Sequence, residues 1–190
     1  MKDPKLEASI HEMQHRCFGH RYVGATLANC SMHGSKNDLI NSYMQTKEHF
    51  LVLTGVPGCG KTYIAAALVE WMLQNFATIR IWKEYDLYTK IKLGIDKGWD
   101  CSDTLSRLID DDIVVVDDLG SQSRNDWREN ILTEMIDVRY SKEKATIFTT
   151  NLSEKDFCDK YDPKIASRIF AHENTVIDLS SAKDLRREGM

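Results

Sequence analysis

Several features are missing from this 190-residue sequence, and each absence excludes something. No apolar run approaches the ~20 residues that cross a bilayer, so no transmembrane helix is expected. The first residues, MKDPKLEASIHEMQ, are charged and lack the apolar centre of a secretory leader. Five cysteines (Cys17, Cys30, Cys59, Cys101, Cys158) are odd in number and scattered, with no CxxC pair. That reads as reduced thiols in a cytoplasmic protein rather than a disulfide frame. There is no excess of positive charge either. Against 29 acidic residues stand 25 Lys and Arg, a formal charge of −4, so any contact with nucleic acid must come from a local patch. Internal repeats and low-complexity tracts are also absent.

What remains is enough for one domain with a short appendage. With 42% apolar residues the chain can bury a substantial core. Strand patterns fall at His49–Gly55, Ala77–Trp82, Asp112–Asp118, Ala145–Asn151 and Thr175–Leu179. Helical spacing falls between them, over Lys61–Gln74, Glu84–Leu93, Ser102–Ile109, Asn125–Tyr140 and Pro163–Phe170, with a short helix capped at Ser153. Strands alternating with helices predict a parallel five-stranded α/β sheet with helices on both faces. Residues 1–45 are expected to form a short N-terminal helix and lead-in segment. Residues 46–190 are expected to form the core. Leu6, Ile10, Met13 and Cys17 share one helical face, which suits docking on a partner or packing on the same domain equally well. The stretch GATLANCSMHGSKN reads as loop.

The first predicted strand runs into Gly55-Val56-Pro57-Gly58-Cys59-Gly60-Lys61-Thr62, followed by Tyr63. This is G-x-x-x-x-G-K-[ST] in its proper setting, with a strand before it and a helix after it. Glycines let successive backbone N–H groups turn inward around a phosphate, and the helix start favours an anion. Lys61 would reach the β- and γ-phosphates of ATP, and Thr62 would ligate Mg²⁺ through its hydroxyl. The plain structural alternative is a Gly-rich turn. Downstream, VVVDDLG ends a buried strand on two acids. Asp117 is the candidate to hold Mg²⁺ beside Thr62, and Asp118 to polarise an attacking water. The alternative there is a pair of strand-end carboxylates in a turn. Asn151 ends the next strand, where an amide would stand near the γ-phosphate, unless it is only a turn residue.

Taken together, the P-loop, VVVDDLG, TIFTTNLS and IASRIF in this order resemble the AAA+ ATPases of the helicase-loader type, DnaC and DnaI, and the transposition helper IstB. YVGATLANC (Tyr22–Cys30) resembles the lead-in before their ATPase core, and DVRY (Asp137–Tyr140) fits the helix before TIFTTNLS. The resemblance covers about Tyr22 to Arg186 and implies a P-loop AAA+ fold. It implies Asp117 as the Walker B magnesium residue, Asp118 as the catalytic acid, Asn151 as sensor 1, and Arg168 as an arginine finger reaching ATP on a neighbouring subunit. Arg186 falls where relatives carry the arginine of G-x-S-Y-R, though Gly and Tyr are absent here. A lid is expected to be largely missing.

The family also implies partners: a replicative helicase or, alternatively, a transposase, with self-association into a ring or helix. Single-stranded DNA would meet extra helical structure after the second strand. That segment is Glu84–Asp111, with Lys90, Lys92 and Lys97 beside Tyr85, Tyr88 and Trp99; Arg124 and Arg128 form a second candidate patch. One reading of a different kind stays open, a nucleotide-gated binding module with negligible hydrolysis; a small-molecule kinase would need a lid and an acceptor pocket, and the sequence offers neither. His11, His15, Cys17, His20, Cys30 and His33 crowd the N-terminal region, but their spacing matches no zinc framework.

Overall fold

In the computed structural model the described residues are 3–30, 35–47, 49–98 and 101–182. Five strands form one wholly parallel sheet: β1 (Phe50–Thr54), β2 (Ile79–Lys83), β3 (Ile113–Leu119), β4 (Thr146–Thr150) and β5 (Thr175–Asp178). Their order across the sheet is β2-β3-β4-β1-β5. The three central strands β3, β4 and β1 are buried almost throughout, and their sequences are near-continuous apolar or β-branched runs. A parallel sheet covered on both faces requires that pattern. Edge strands β2 and β5 are only partly buried.

Period-two alternation splits the core into two layers. Leu51, Leu53, Val115 and Ile147 face one side. There they pack with α1 (Pro4–Phe18), α2 (Ser35–Thr46), α3 (Lys61–Ala67) and α4 (Val69–Asn75). Phe50, Val52, Val114, Val116 and Phe148 face the other side. That layer is closed by α5 (Glu84–Asp96), α6 (Ser102–Asp110), α7 (Asp126–Ser141), α8 (Glu154–Lys160) and α9 (Pro163–Ile169). The predicted α/β sheet with helices on both faces is borne out, with element ends shifted by at most three residues.

Two stretches differ from expectation. The segment read as loop contains a 3-10 turn at Leu27–Asn29, and helix α2 begins at Ser35. That helix is mostly polar and buries Ile40 and Tyr43 as its main anchors, so its apolar stripe is too thin to stand out in the sequence. The single helix predicted from Lys61 is interrupted at Leu68. Just before the break, the Gln14 amide donates to the Ala66 carbonyl at 3.0 Å, and a side-chain donor inserted into the helical ladder is a known cause of such breaks.

Gln14 is also what seats the N-terminal segment. It is fully buried; its Nε2 also donates to Ala25 O at 2.9 Å, and its Oε1 accepts from Gly24 N at 2.8 Å. Ile10 and Phe18 sink into the same core layer, with Leu6, Met13 and Cys17 against it. The apolar face of α1 therefore packs on its own domain. Gln14→Leu would strand two buried carbonyls and the part-buried N–H of Gly24. We predict a loss of about 3 kcal/mol, since each orphaned group costs ~1–3 kcal/mol, read as a lower urea midpoint with little change in slope.

Candidate nucleotide site

A cleft of about 350 Å³ opens at the carboxyl ends of β1, β3 and β4, where parallel α/β sheets bind ligands. Its floor is the loop after β1 and the first turn of α3: Pro57, Gly58, Gly60, Lys61, Thr62 and Tyr63 line it. Gly55 and Cys59, also expected to bind nucleotide, lie behind the wall rather than on it; Cys59 is buried. Gly55 is needed for space. Its φ is 141°, and a Cβ there would lie 2.8 Å from the carbonyl carbon of Leu179, so no other residue fits. Gly60 (φ 99°) turns the chain into α3. Lys61 is buried, and its Nζ donates to Gly55 O (2.6 Å) and Val56 O (2.9 Å). The ammonium is thus held inside its own loop, where phosphate oxygens would compete for the same protons.

Across the loop, Thr62 Oγ1 donates to Asp117 Oδ1 at 3.0 Å. The same oxygen accepts from Thr149 Oγ1 at 2.7 Å, and Thr149 Oγ1 in turn accepts from the Asp118 N–H at 2.8 Å. Asp118 Oδ1 accepts from Asn151 Nδ2 at 3.0 Å. Asp117, Asp118 and Asn151, three sequence candidates, therefore meet Thr62 in one cleft. Their meeting depends on an irregularity. The β3–β4 register shifts between Val116 and Leu119, and Asp118 has φ 62°. Consecutive strand residues normally point to opposite faces; this bulge brings both carboxylates to the same cleft.

Asp117 is 3% exposed. Burial pushes its carboxyl above the usual carboxylate range. The Thr149 and Thr62 hydroxyls pull the other way, the Asp118 charge adds to the rise, and Lys83 opposes it. Lys83 ends β2, in register with Asp117, and lines the cleft. An oxygen pair from Thr62 and Asp117 at this spacing suits a hard divalent cation, so the donor set fits Mg²⁺.

Thr149, Lys83, Phe18 and Arg21 are cleft residues that motif reading missed, and Tyr22 joins them. The lead-in pattern pointed to Tyr22; the others come into place only through the fold. Arg168 does not line this cleft. It lies on α9 against α7, so any role at a nucleotide would be played on another copy of the chain.

The candidate DNA residues are partly rearranged. Tyr88 is buried, with the Arg128 guanidinium 5.6 Å from its ring centroid, so it offers no free face for stacking; Lys90 lies 5.1 Å from the Trp82 ring centroid. Lys92 and Arg128, read from sequence as separate patches, face one groove of about 340 Å³ with Trp127, Asn125 and Ile95. Arg124 pairs with Glu129 at 2.9 Å. Trp99, His33 and Arg186 lie outside the described residues. Among the described residues no group of three His, Cys, Asp or Glu is placed to hold a metal, and no helix is long and apolar enough to cross a membrane.

The strand order, the glycine loop and the paired acids define a P-loop protein of the AAA+ class. Within that class the chain belongs to the IstB-like ATP binding protein family, whose model matches residues 36–180. The replicative helicase loader DnaC of Escherichia coli K12 is 24% identical over 119 residues, covering 62% of this chain and 49% of that protein. The chain thus spans about half the length of the curated relatives it matches. A crystal structure of the DnaC helicase loader superposes with a TM-score of 0.70 at 27% identity, covering 83% of this chain and 98% of that one. A crystal structure of DnaI gives 0.70 at 19% identity, over 83% and 92%. The resemblance read from the motifs is borne out.

A carboxyl whose pKa is raised by folding favours the folded state in its protonated form, and that contribution fades as pH rises through the raised value. Ionised Asp117 therefore costs the metal-free protein stability near neutral pH. We predict that Asp117→Asn melts no lower than wild type in EDTA at pH 7, and that any gain shrinks as pH falls and the wild-type acid is neutralised. The same variant should lose Mg²⁺-dependent ATP binding, measured by calorimetry.

Proposed function

We propose that the protein is an ATP-dependent accessory ATPase of DNA replication, of the helicase-loader type. It would act in the cytoplasm, bind Mg-ATP at a subunit interface and engage single-stranded DNA. The observation that carries this reading is the contact of the Thr62 hydroxyl with the Asp117 carboxylate, at the mouth of the glycine loop and beside the Asp118–Asn151 pair.

Lys61 and the amides of Gly58–Thr62 would grip the terminal phosphates, with Tyr63 just behind. Phe18 and Tyr22, on the wall formed by the lead-in, give an aromatic surface for the base. Bound by Thr62 and Asp117, Mg²⁺ would neutralise charge on the β- and γ-phosphates. Asp118 would orient the attacking water and take its proton, its carboxylate steadied by Asn151. Arg168 would place its guanidinium on the γ-phosphate held by a neighbouring copy, which requires self-association into a ring or helix. The groove of Lys92 and Arg128 supplies cations for a DNA backbone.

A replicative helicase is the partner this reading names. The family match to an IstB-like model supports one alternative, a transposition helper on duplex DNA whose partner is a transposase. Co-elution from host lysate separates the two.

Asp118→Asn is a clean test, because Asn tolerates the left-handed backbone at this position as well as Asp does. ATP binding should stay within about threefold of wild type while turnover drops by about 100-fold or more. Wild-type turnover should rise on adding single-stranded DNA. Loss of binding instead of turnover would remove Asp118 from the chemistry. Undetectable wild-type turnover with DNA and partner present would favour a nucleotide-gated binding module.

A further inference from the structure

Arg168 is held, not loose. On α7, Asp137 and Tyr140 are one turn apart; on α9, Lys164 and Arg168 are one turn apart, and the two faces meet. Asp137 Oδ2 accepts from Lys164 Nζ at 2.5 Å, and Asp137 Oδ1 lies 3.1 Å from Arg168 Nε. Arg168 Nη1 donates to Lys164 O at 3.2 Å, and its guanidinium carbon sits 6.0 Å from the centroid of the Tyr140 ring. The Arg168 and Asp137 side chains are 24% and 26% exposed, against 54% for Lys164. Asp137 Oδ1 is shielded from solvent and takes no hydrogen bond among the described residues. A shielded carboxylate oxygen is costly without a compensating cation, and Arg168 is the cation it faces.

We infer that Asp137 is a positioning residue that fixes the Arg168 guanidinium for a phosphate bound to a neighbouring copy. This rests on the reading of Arg168 as a finger acting in trans. The carboxylate holds Nε, the nitrogen nearest the chain, by charge rather than by a hydrogen bond, while the Tyr140 ring lies beside the guanidinium and the Lys164 carbonyl fixes one branch. Arginine is flexible up to its fork, so a fork already aimed loses less freedom when it meets a phosphate. Lys164 on the second carboxylate oxygen keeps Asp137 itself in place. The nucleotide cleft of the same chain is untouched by this cluster, so Asp137 should govern turnover without governing ATP affinity.

The test compares Arg168→Ala, Asp137→Asn and Asp137→Glu by steady-state ATP turnover, with thermal melting as the folding control. Arg168→Ala should lower kcat by about 1,000-fold, the low end for an arginine finger. Asp137→Asn should lower kcat about tenfold with KM for ATP unchanged. Asp137→Glu keeps the charge and should recover more than half of wild-type kcat. Mixing Asp137→Asn subunits with Lys61→Ala subunits, which have a disabled cleft but an intact finger, should raise turnover above that of either alone. If Arg168→Ala turns over like wild type, the finger reading fails and the positioning role goes with it. If Arg168→Ala is inactive but Asp137→Asn keeps wild-type kcat, or raises KM instead, only the positioning role fails. Equal loss in the Asn and Glu variants, or no recovery on mixing, also overturns it and leaves the finger reading standing.

Discussion

One carboxylate oxygen organises the site. Asp117 Oδ1 accepts from both Thr62 and Thr149, and so ties the loop after β1 to the ends of β3 and β4. Without the bulge after Val116, strict alternation would send Asp118 to the far side of the sheet, toward the helices, and the two acids could not serve one cleft. Thr149 secures the bulge by donating to Asp117 while accepting from the Asp118 backbone. Asp118 holds its left-handed conformation (φ 62°) where the β3–β4 register shifts, so the backbone irregularity sits at the acidic pair itself.

Two buried ionisable side chains hold the ends of this frame. At the amino ends of the strands, Arg139 is wholly buried and donates to the carbonyls of Leu108, Ile109, Asp111 and Ala145 and to the Thr146 hydroxyl. Burial pulls its pKa down to about 10, so it remains charged at neutral pH and binds the end of α6 to the start of β4. At the carboxyl ends, Glu84 accepts from the backbone N–H groups of Gly120 and Gln122, with the Tyr161 hydroxyl close by. Burial pushes its carboxyl up, and the hydrogen bonds it accepts push it back down. The loop that follows the acidic pair is thereby anchored to the first turn of α5. This connects the cleft mechanically to the helix that carries Lys92 and the second groove.

Much of this was legible from sequence, for identifiable reasons. The strands were readable because burial on both faces demands unbroken apolar runs, as in Ile113–Val116. The glycine loop was readable because close packing and positive φ restrict residue type at fixed spacing, so the constraint is written in adjacent letters. Other features were hidden because their cause is distant in the chain. Nothing near Gln14 shows that it will satisfy Ala66, 52 residues away. Thr149 reads as one more β-branched strand residue until β3 is laid beside β4. Tyr88 reads as a stacking ring until Arg128 is folded over it. Asp137 and Arg168 lie on separate helices and become partners only through the packing of α7 on α9.

The lead-in carries the same logic one step further. Phe18, Arg21 and Tyr22 reach the cleft because Gln14 and Ile10 seat α1 against α3 and α4, and because Gly24 and Ala25 are pinned to the same glutamine. The cleft is thus walled by two separate parts of the chain: strand ends held by the sheet, and a segment held mainly by one helix face. A ligand that touches both walls binds only when α1 is seated, so its binding energy adds to the stability of that docking. Conversely, whatever loosens α1 weakens the site without touching the glycine loop or the acids. The seating of α1 therefore decides the shape of one wall of the cleft.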